Sequence, residues 1–189
     1  KRQILYRSNA QSRVLEETLL REGIPYRIYG GQRFYERLEI RNAIAYLRLA
    51  QTRDDDPALE RVLNTPPRGI GSKTVEKIRE VARAEQIPMW QAIHRTREQS
   101  LLPARALTAL GNFQALIDDL DRSSETLPLD ELTEHVIDVT GLLDYHRSEK
   151  GERGQARVEN LQELVTATRL FEPEDCLLYT SPSPRDLST

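Results

Sequence analysis

Apolar side chains recur every three to four residues along most of this chain, which is the spacing of two-faced helices. Two short apolar runs near the start, at residues 2–7 and 26–29, are instead typical of strands, and a helical pattern over residues 9–22 separates them. A strand, a helix and a strand at this spacing predict a parallel βαβ unit. Four residues are expected on one side of the intervening helix: Val14, Leu15, Thr18 and Leu19.

From residue 37 onward the pattern predicts helices almost throughout, separated by breaks that contain proline, glycine and serine. The predicted helices cover residues 37–51, 57–63, 72–86, 88–97, 103–122, 129–139 and 155–170. Trp90, Phe113 and the leucines at 107, 110, 116 and 120 recur at helical spacing, which favours a place in the core. The fold class predicted is therefore mostly α, with a partial α/β segment at the N-terminus.

The length of 189 residues allows one ordinary domain or two small ones. The change from strand-containing to helical sequence falls within residues 54–67. We therefore expect residues 1–56 to form part of a parallel-sheet domain and residues 57–175 to form a helical domain. The first region is too short to complete a sheet, and the chain begins without methionine, so we interpret it as an internal piece of a longer protein.

The charge balance does not by itself predict a nucleic-acid partner. The formal net charge is −3 at pH 7, whereas nucleic-acid-binding domains usually carry a basic excess. Positive charge can nevertheless be gathered locally, and Arg61, Arg68 and Lys73 form one such grouping. No membrane partner is expected, because no apolar run is long enough to span a bilayer and no signal peptide is visible.

Residues 176–189 are expected to be a non-native tail. The peptide from Cys176 to Asp186 is what a transposase sequencing adapter would encode, and its Ser-Pro-Ser-Pro stretch offers little to bury. A genuine linker is the alternative. Cys176 is also the single cysteine of the chain, which excludes an internal disulfide and fits a reducing compartment.

The end of the first predicted strand carries an aromatic ring and a guanidinium side by side. Tyr6 and Arg7 come directly before Ser8, which with Gln11 forms a capping box that opens the predicted helix. In open α/β sheets, ligands lie beyond the carboxyl ends of strands and beside helix N-termini. Tyr6 could therefore stack on a base while Arg7 binds phosphate oxygens. The alternative is an ordinary strand end with a helix cap.

A second candidate site lies between two predicted helices, at residues 68–74. Gly69 and Gly71 permit a tight turn and bring backbone amides within reach of a phosphate at the start of the next helix. Ile70 between them is expected to anchor the turn in the helical core. The pattern resembles the helix-hairpin-helix module, which grips the DNA backbone without reading its sequence. The alternative is a plain helix–helix turn that needs glycine for steric reasons.

Other kinds of chemistry find little support in the sequence. His94, His135 and His146 share no metal-ligand spacing with one another or with the cysteine, so no metal site is predicted. No nucleophile triad can be assembled, and the glycines before Lys73 do not have the spacing of a phosphate-cradling loop.

Several separate blocks of the chain closely resemble the UvrD/PcrA/Rep family of superfamily 1 DNA helicases. The resemblance covers nearly everything from residue 1 to about residue 175. The blocks that carry it are ILYRSNAQSRVLEE at 4–17, IPYRIYGG at 24–31, the RF…R…EI…AYLR pattern within 33–48, NTPPRGIG at 64–71 and KGERGQARVENLQELVTATR at 150–169.

This resemblance implies the start of the second RecA-like motor domain, followed by much of the helical insertion within it. Tyr6 would stack against the adenine of ATP and Arg7 would reach its γ-phosphate as a catalytic arginine, while the Mg²⁺ ligands would lie outside this chain. The insertion would hold duplex DNA ahead of the fork through Arg68, Gly69, Ile70, Gly71, Lys73 and Thr74.

The implied activity is ATP-driven 3′–5′ unwinding of DNA in repair or replication. The implied partners are single-stranded DNA, the duplex junction, the remaining domains of the parent helicase and possible repair proteins, in the bacterial cytoplasm and at the nucleoid. The isolated fragment is expected to be inactive, because its Walker A loop and other motifs are missing. Two alternatives stay open: a non-enzymatic helical DNA-binding or interaction module, and part of a helicase–nuclease subunit.

Overall fold

A computed structural model describes residues 9–23 and 34–169 of the chain. Every regular element within these two ranges is helical, so the mostly α prediction is confirmed for this part of the chain. The predicted strands at 2–7 and 26–29 lie outside the described residues, so the βαβ unit stays a prediction. The α-helices are α1 (Asn9–Arg21), α2 (Leu38–Gln51), α3 (Asp56–Val62), α4 (Ser72–Glu85), α5 (Met89–Glu98), α6 (Ala104–Ser124), α7 (Leu129–Val139), α8 (Leu142–Arg147) and α9 (Glu152–Arg169).

The helix pattern of the sequence agrees with these bounds to within one to three residues at most ends. Two short elements were not predicted: a 3₁₀ turn at Phe34–Glu36 and the six-residue helix α8. Both are too short to show a periodic apolar stripe. Helix α8 is set off from α7 by Gly141, whose φ of +76° is a left-handed conformation that favours glycine.

Helix α2 lies at the centre of the core and packs against α3, α6, α7 and α9. Its side chains Ile40, Tyr46 and Leu49 are fully buried. The predicted core role is confirmed for Trp90, Phe113, Leu110 and Leu120, whereas Leu107 and Leu116 are only half-buried. Complete burial of one large apolar side chain contributes about 1.5–3 kcal/mol, so this shared core holds the helices together.

A chain of polar contacts ties the beginning of α2 to α9. Arg37 Nη1 donates to Asn160 Oδ1 at 3.0 Å, and Asn160 Nδ2 donates to the buried carboxylate of Glu39. On the same side of α9, Arg157 Nη1 donates to both carboxylate oxygens of Glu149, at 2.5 and 2.8 Å. Because α9 also packs on α1, it joins the N-terminal helix to the rest of the bundle.

The predicted division between residues 56 and 57 falls in the first turn of α3. That turn is capped by Asp55, whose Oδ1 accepts a hydrogen bond from the Ala58 amide at 3.0 Å. Helix α3 then packs closely on α2, so the helices on either side of the predicted boundary share buried surface. The division into a motor segment and an insertion stays a prediction. In the described part of the chain, no helix is long and apolar enough to cross a membrane.

Candidate nucleic-acid interface

The connection between α3 and α4, here called the 64–71 loop, carries the second candidate site. Gly69 has a φ of +78°, so this position requires a residue that tolerates the left-handed region. Gly71 has a φ of −78° and a ψ of 171°, which is extended backbone open to any residue, and it caps α4. Ile70 between them is 1% exposed, so the prediction that it anchors the turn in the core is confirmed.

The side chain of Asn64 shapes this loop from its first position. Its Oδ1 accepts hydrogen bonds from two backbone amides of the loop, those of Arg68 at 2.8 Å and Ile70 at 3.3 Å. One carboxamide therefore satisfies two donors that the turn would otherwise leave without a partner. The role of Asn64 was not predicted; its only signal was an asparagine placed before a proline pair and two glycines, a composition typical of turns.

Helix α4 begins without a side-chain cap. The carbonyl oxygen of Gly71 accepts from the amides of Thr74 and Val75, at 3.0 and 3.2 Å. Among the hydrogen bonds of the described residues, none uses the amide of Ser72 or Lys73. Unpaired amides at a helix start carry the positive end of the helix dipole, so this end of α4 favours an anion.

The surface around this helix start is open. A Cβ added at Gly69 or at Gly71 would meet no atom within 4 Å. Ser72 and Lys73 are exposed, and the Lys73 ammonium has no ion-pair partner among the described residues. We call the four exposed residues Gly69, Gly71, Ser72 and Lys73 the turn face.

The six residues predicted to contact DNA do not share one surface. Gly69, Gly71 and Lys73 belong to the turn face, whereas Ile70 is buried and Thr74 is 8% exposed. Arg68 is half-buried, and its guanidinium donates to backbone carbonyl oxygens of the protein itself. The DNA contacts assigned to these residues stay predictions.

Tyr46 supports the loop from α2. Its hydroxyl lies 2.8 Å from the carbonyl oxygen of Thr65 and 3.2 Å from that of Val62. Burial raises the pKa of Tyr46 to about 12, although the nearby Arg68 guanidinium acts in the opposite direction. The hydroxyl therefore remains protonated and able to donate across the neutral pH range.

The three basic residues grouped in the sequence, Arg61, Arg68 and Lys73, do not lie on one surface of the structure. Arg68 points inward and Lys73 lies on the turn face, whereas Arg61 lines a separate cleft of about 460 Å³. Next to Arg61, Glu60 accepts from Arg79 Nε at 2.6 Å, and this hydrogen bond is the main reason that the pKa of Glu60 is lowered. The charge of the Glu60 carboxylate is thus compensated by Arg79.

The nucleotide-binding prediction cannot be placed in the structure, because Tyr6 and Arg7 lie outside the described residues. No group of histidine, cysteine, aspartate and glutamate side chains within 9–23 and 34–169 could hold a metal ion. Of the three histidines, His146 is fully buried, and its Nδ1 lies 3.1 Å from Glu149 Oε1.

Comparison with known proteins identifies the family to which the chain belongs. A family model for the UvrD-like helicase C-terminal domain matches residues 1–177, and the chain belongs to this family. This confirms the resemblance drawn from the sequence blocks. The match covers the whole 64–71 loop and ends twelve residues before the end of the chain.

Individual relatives support the same family. The chain is 53% identical to DNA helicase II of Haemophilus influenzae over 172 residues, which is 91% of this chain and 24% of that protein. It is 52% identical to DNA helicase II of Escherichia coli over 178 residues, covering 92% of this chain and 25% of the relative. Identity to the ATP-dependent DNA helicase PcrA of Bacillus subtilis is 41% over 169 residues, covering 89% and 23%. The chain thus spans about a quarter of the length of these relatives.

Proposed function

We propose that this chain is part of an ATP-dependent DNA helicase, in which the turn face binds the phosphate backbone of duplex DNA ahead of the fork. The observation that carries the proposal is the start of α4: a helix end without a side-chain cap, with two amides for which no described residue provides an acceptor, beside an exposed lysine. Membership of a helicase domain family supplies the class of partner.

The turn face suits a phosphate for three physical reasons. The glycines leave the backbone uncovered, so a phosphate oxygen can approach it closely. The free amides of Ser72 and Lys73 can donate to that oxygen, and the helix dipole favours its charge. The Lys73 ammonium adds a compact, flexible cation. Contacts of this kind hold a duplex without reading its sequence, as a motor that moves along any DNA requires.

The nucleotide side of the proposed mechanism lies in the N-terminal segment. Tyr6 stacks against adenine and Arg7 reaches the γ-phosphate, where an arginine stabilises the charge that develops in phosphoryl transfer. ATP and Mg²⁺ are the cofactors, and the Mg²⁺ ligands belong to the rest of the parent protein. Closure and opening of the motor domains then drive single-stranded DNA through the protein in the 3′ to 5′ direction.

The isolated chain is proposed to lack ATPase activity, because the phosphate-cradling loop and the acidic pair for Mg²⁺ are not in its sequence. Its partners are the remaining domains of the parent helicase, single-stranded DNA, the duplex junction and repair proteins. The proposed location is the bacterial cytoplasm, at the nucleoid. A coupled-enzyme assay on the purified chain should give no phosphate release; stoichiometric turnover that Arg7→Ala abolishes would contradict this.

A salt titration of duplex binding tests the assignment of the turn face. Fluorescence anisotropy would report the affinity of the 189-residue chain for a labelled blunt duplex at several salt concentrations. The logarithm of the affinity falls as the logarithm of the salt concentration rises. Lys73→Ala should make this negative slope shallower by about 0.9, which is the effect of losing one phosphate contact. An unchanged slope for Lys73→Ala would count against the proposal.

The matched control is Arg83→Ala, which removes the same charge from the same helix. Arg83 is exposed in the last turn of α4, ten residues from Lys73, which corresponds to about 15 Å along a helix. Its substitution should leave the slope as in the wild type. Equal loss of slope in both variants would indicate a diffuse charge effect instead of a specific contact.

A further inference from the structure

We propose that Arg68 is a positioning residue, which holds the turn face from inside the fold and does not itself touch DNA. The inference rests on the proposed function, because it concerns how the same site is kept in shape. It differs from the interpretation of the sequence, in which Arg68 was one of the DNA contacts.

The first argument is the use of the guanidinium donors. Arg68 Nη1 donates to the carbonyl oxygen of Pro66 at 3.0 Å and to that of Val62 at 3.3 Å. Arg68 Nη2 donates to the carbonyl oxygen of Thr140 at 2.9 Å. Three of the five N–H donors of an arginine are therefore satisfied by the protein, which leaves at most two for any other partner.

The second argument is that the three acceptor carbonyls belong to different parts of the fold. Val62 is the last residue of α3, Pro66 lies within the 64–71 loop, and Thr140 follows the end of α7. The loop also approaches the turn after α7 directly, since a Cβ added at Gly141 would lie 4.0 Å from Pro66 Cγ. One side chain thus fastens the loop to two different helix ends.

The third argument is the packing of the guanidinium plane. Its central carbon lies 5.6 Å from the ring centre of Tyr46 and 5.8 Å from that of Phe113, and both rings are fully buried. A planar, weakly hydrated cation fits between aromatic rings, whereas an ammonium is compact and strongly hydrated. The site is therefore specific for arginine and not for positive charge alone.

The backbone of Arg68 is held by a separate contact, to the side chain of Asn64. The Arg68 amide donates to Asn64 Oδ1, which also accepts from the Ile70 amide, so the residue before Gly69 is held through both its backbone and its side chain. The path of Gly69 and Gly71, and with it the direction in which the first amides of α4 point, follows from this anchoring. Loss of the side chain should loosen the turn face without removing any group that contacts DNA.

The experiment compares Arg68→Lys with Arg68→Met in the 189-residue chain. A phosphate contact made through charge alone survives in lysine, whereas positioning requires the planar fork, which both substitutions remove. A bidentate phosphate contact would also be lost in both variants, but without faster exchange at the Ile70 amide, and that result would overturn the inference. In both variants the duplex dissociation constant should rise equally, by about tenfold, which corresponds to the loss of roughly one hydrogen-bonded anchor. Arg122→Lys is the control, because this arginine is exposed on α6 and, among the described residues, pairs only with Asp119.

Amide exchange followed by NMR in the absence of DNA gives a second readout. The Ile70 amide reports local opening of the loop, whereas the Ile117 amide in the fully buried part of α6 reports opening of the whole fold. In both Arg68 variants, exchange at Ile70 should rise by more than exchange at Ile117. The control should change neither.

Several outcomes would overturn the inference. Wild-type affinity in Arg68→Lys combined with a loss in Arg68→Met would show that the charge contacts DNA directly. Wild-type affinity in both variants with equal changes at Ile70 and Ile117 would show a role in stability alone. If the wild-type chain fails to bind duplex at all, the proposed function fails, and the exchange measurement decides the positioning role by itself.

Discussion

The hydroxyl of Tyr46, in the middle of α2, donates to the carbonyl oxygen of Thr65 in the 64–71 loop over 2.8 Å. This contact joins the central helix of the core to the segment that carries the candidate DNA-binding residues. Two carbonyl oxygens of the 64–71 loop, those of Thr65 and Pro66, thus accept hydrogen bonds from the side chains of Tyr46 and Arg68, which anchors the loop to the core.

Tyr46→Phe is expected to destabilise the chain by about 1–3 kcal/mol, because the Thr65 and Val62 carbonyls would lose a buried donor while the ring is kept. Urea unfolding followed by circular dichroism would measure the change. Tyr145→Phe is a suitable control, because the Tyr145 hydroxyl makes no hydrogen bond to any described residue and its removal should change stability much less. Equal effects at the two positions would show that the Tyr46 hydroxyl contributes nothing through its carbonyl partners.

The stability of the chain should also depend on alkaline pH through Tyr46. Its pKa is raised from 10.0 to about 12 by burial, so the folded state holds the phenol proton more tightly than the unfolded state does. This contribution to the free energy of unfolding is complete below pH 10 and is lost as the pH rises from 10 towards 12. Between pH 10 and pH 12 the free energy of unfolding should fall less in Tyr46→Phe than in the wild type. Parallel pH dependence of the two proteins would refute the assignment.

The two glycines of the turn face should respond differently to alanine. Gly69→Ala should cost about 1–2 kcal/mol of stability, because its φ of +78° places a Cβ in a strained conformation. Gly71→Ala should cost less, at most about 1 kcal/mol, because its backbone is extended and the space around it is open, and only its place at the N-cap of α4 disfavours alanine. The new methyl group would nevertheless cover the turn face, so duplex affinity should fall.

Urea unfolding and duplex anisotropy on the same two preparations would separate these effects. A stable Gly71→Ala variant with full duplex affinity would mean that no phosphate approaches the backbone at this point.

The polar contacts between α2 and α9 should contribute strongly to stability. Asn160→Ala would leave the buried carboxylate of Glu39 without its amide donor and Arg37 without its acceptor. The expected cost is about 1–3 kcal/mol in urea unfolding. Gln155→Ala provides the control, because this side chain is exposed and its one hydrogen bond within residues 9–23 and 34–169 is to Glu159 on the same helix. A loss no greater than in the control would contradict the role given to Asn160.

The sequence predicted the long helices well because each has a repeated apolar face, as in α6, where Leu110, Phe113 and Ile117 are all buried. The six residues of α8 carry no such repeat, so periodicity could not reveal them. The anchor role of Ile70 followed from a single apolar residue between two glycines, and the structure confirms its burial.

The residues that hold Arg68 in place could not be predicted from the sequence, for a different reason. Tyr46, Phe113 and Thr140 lie 22, 45 and 72 residues from Arg68 along the chain, and only the packing of α2, α6 and α7 brings them together. From the sequence, the arginine beside the glycines could be recognised as cationic, but the direction of its side chain could not be derived. The nucleotide-binding prediction for Tyr6 and Arg7 stays a prediction.

The most direct measurement of the central claim is an NMR titration of the isotope-labelled 189-residue chain with unlabelled blunt duplex DNA. The account predicts that the amide signals of Gly69, Gly71, Ser72 and Lys73 shift most, because a phosphate oxygen would accept hydrogen bonds at this start of α4. The amide signals of Met89 and Leu129, at the starts of α5 and α7, should move little. Saturable duplex binding that leaves the turn-face signals unchanged while other signals shift would contradict the account.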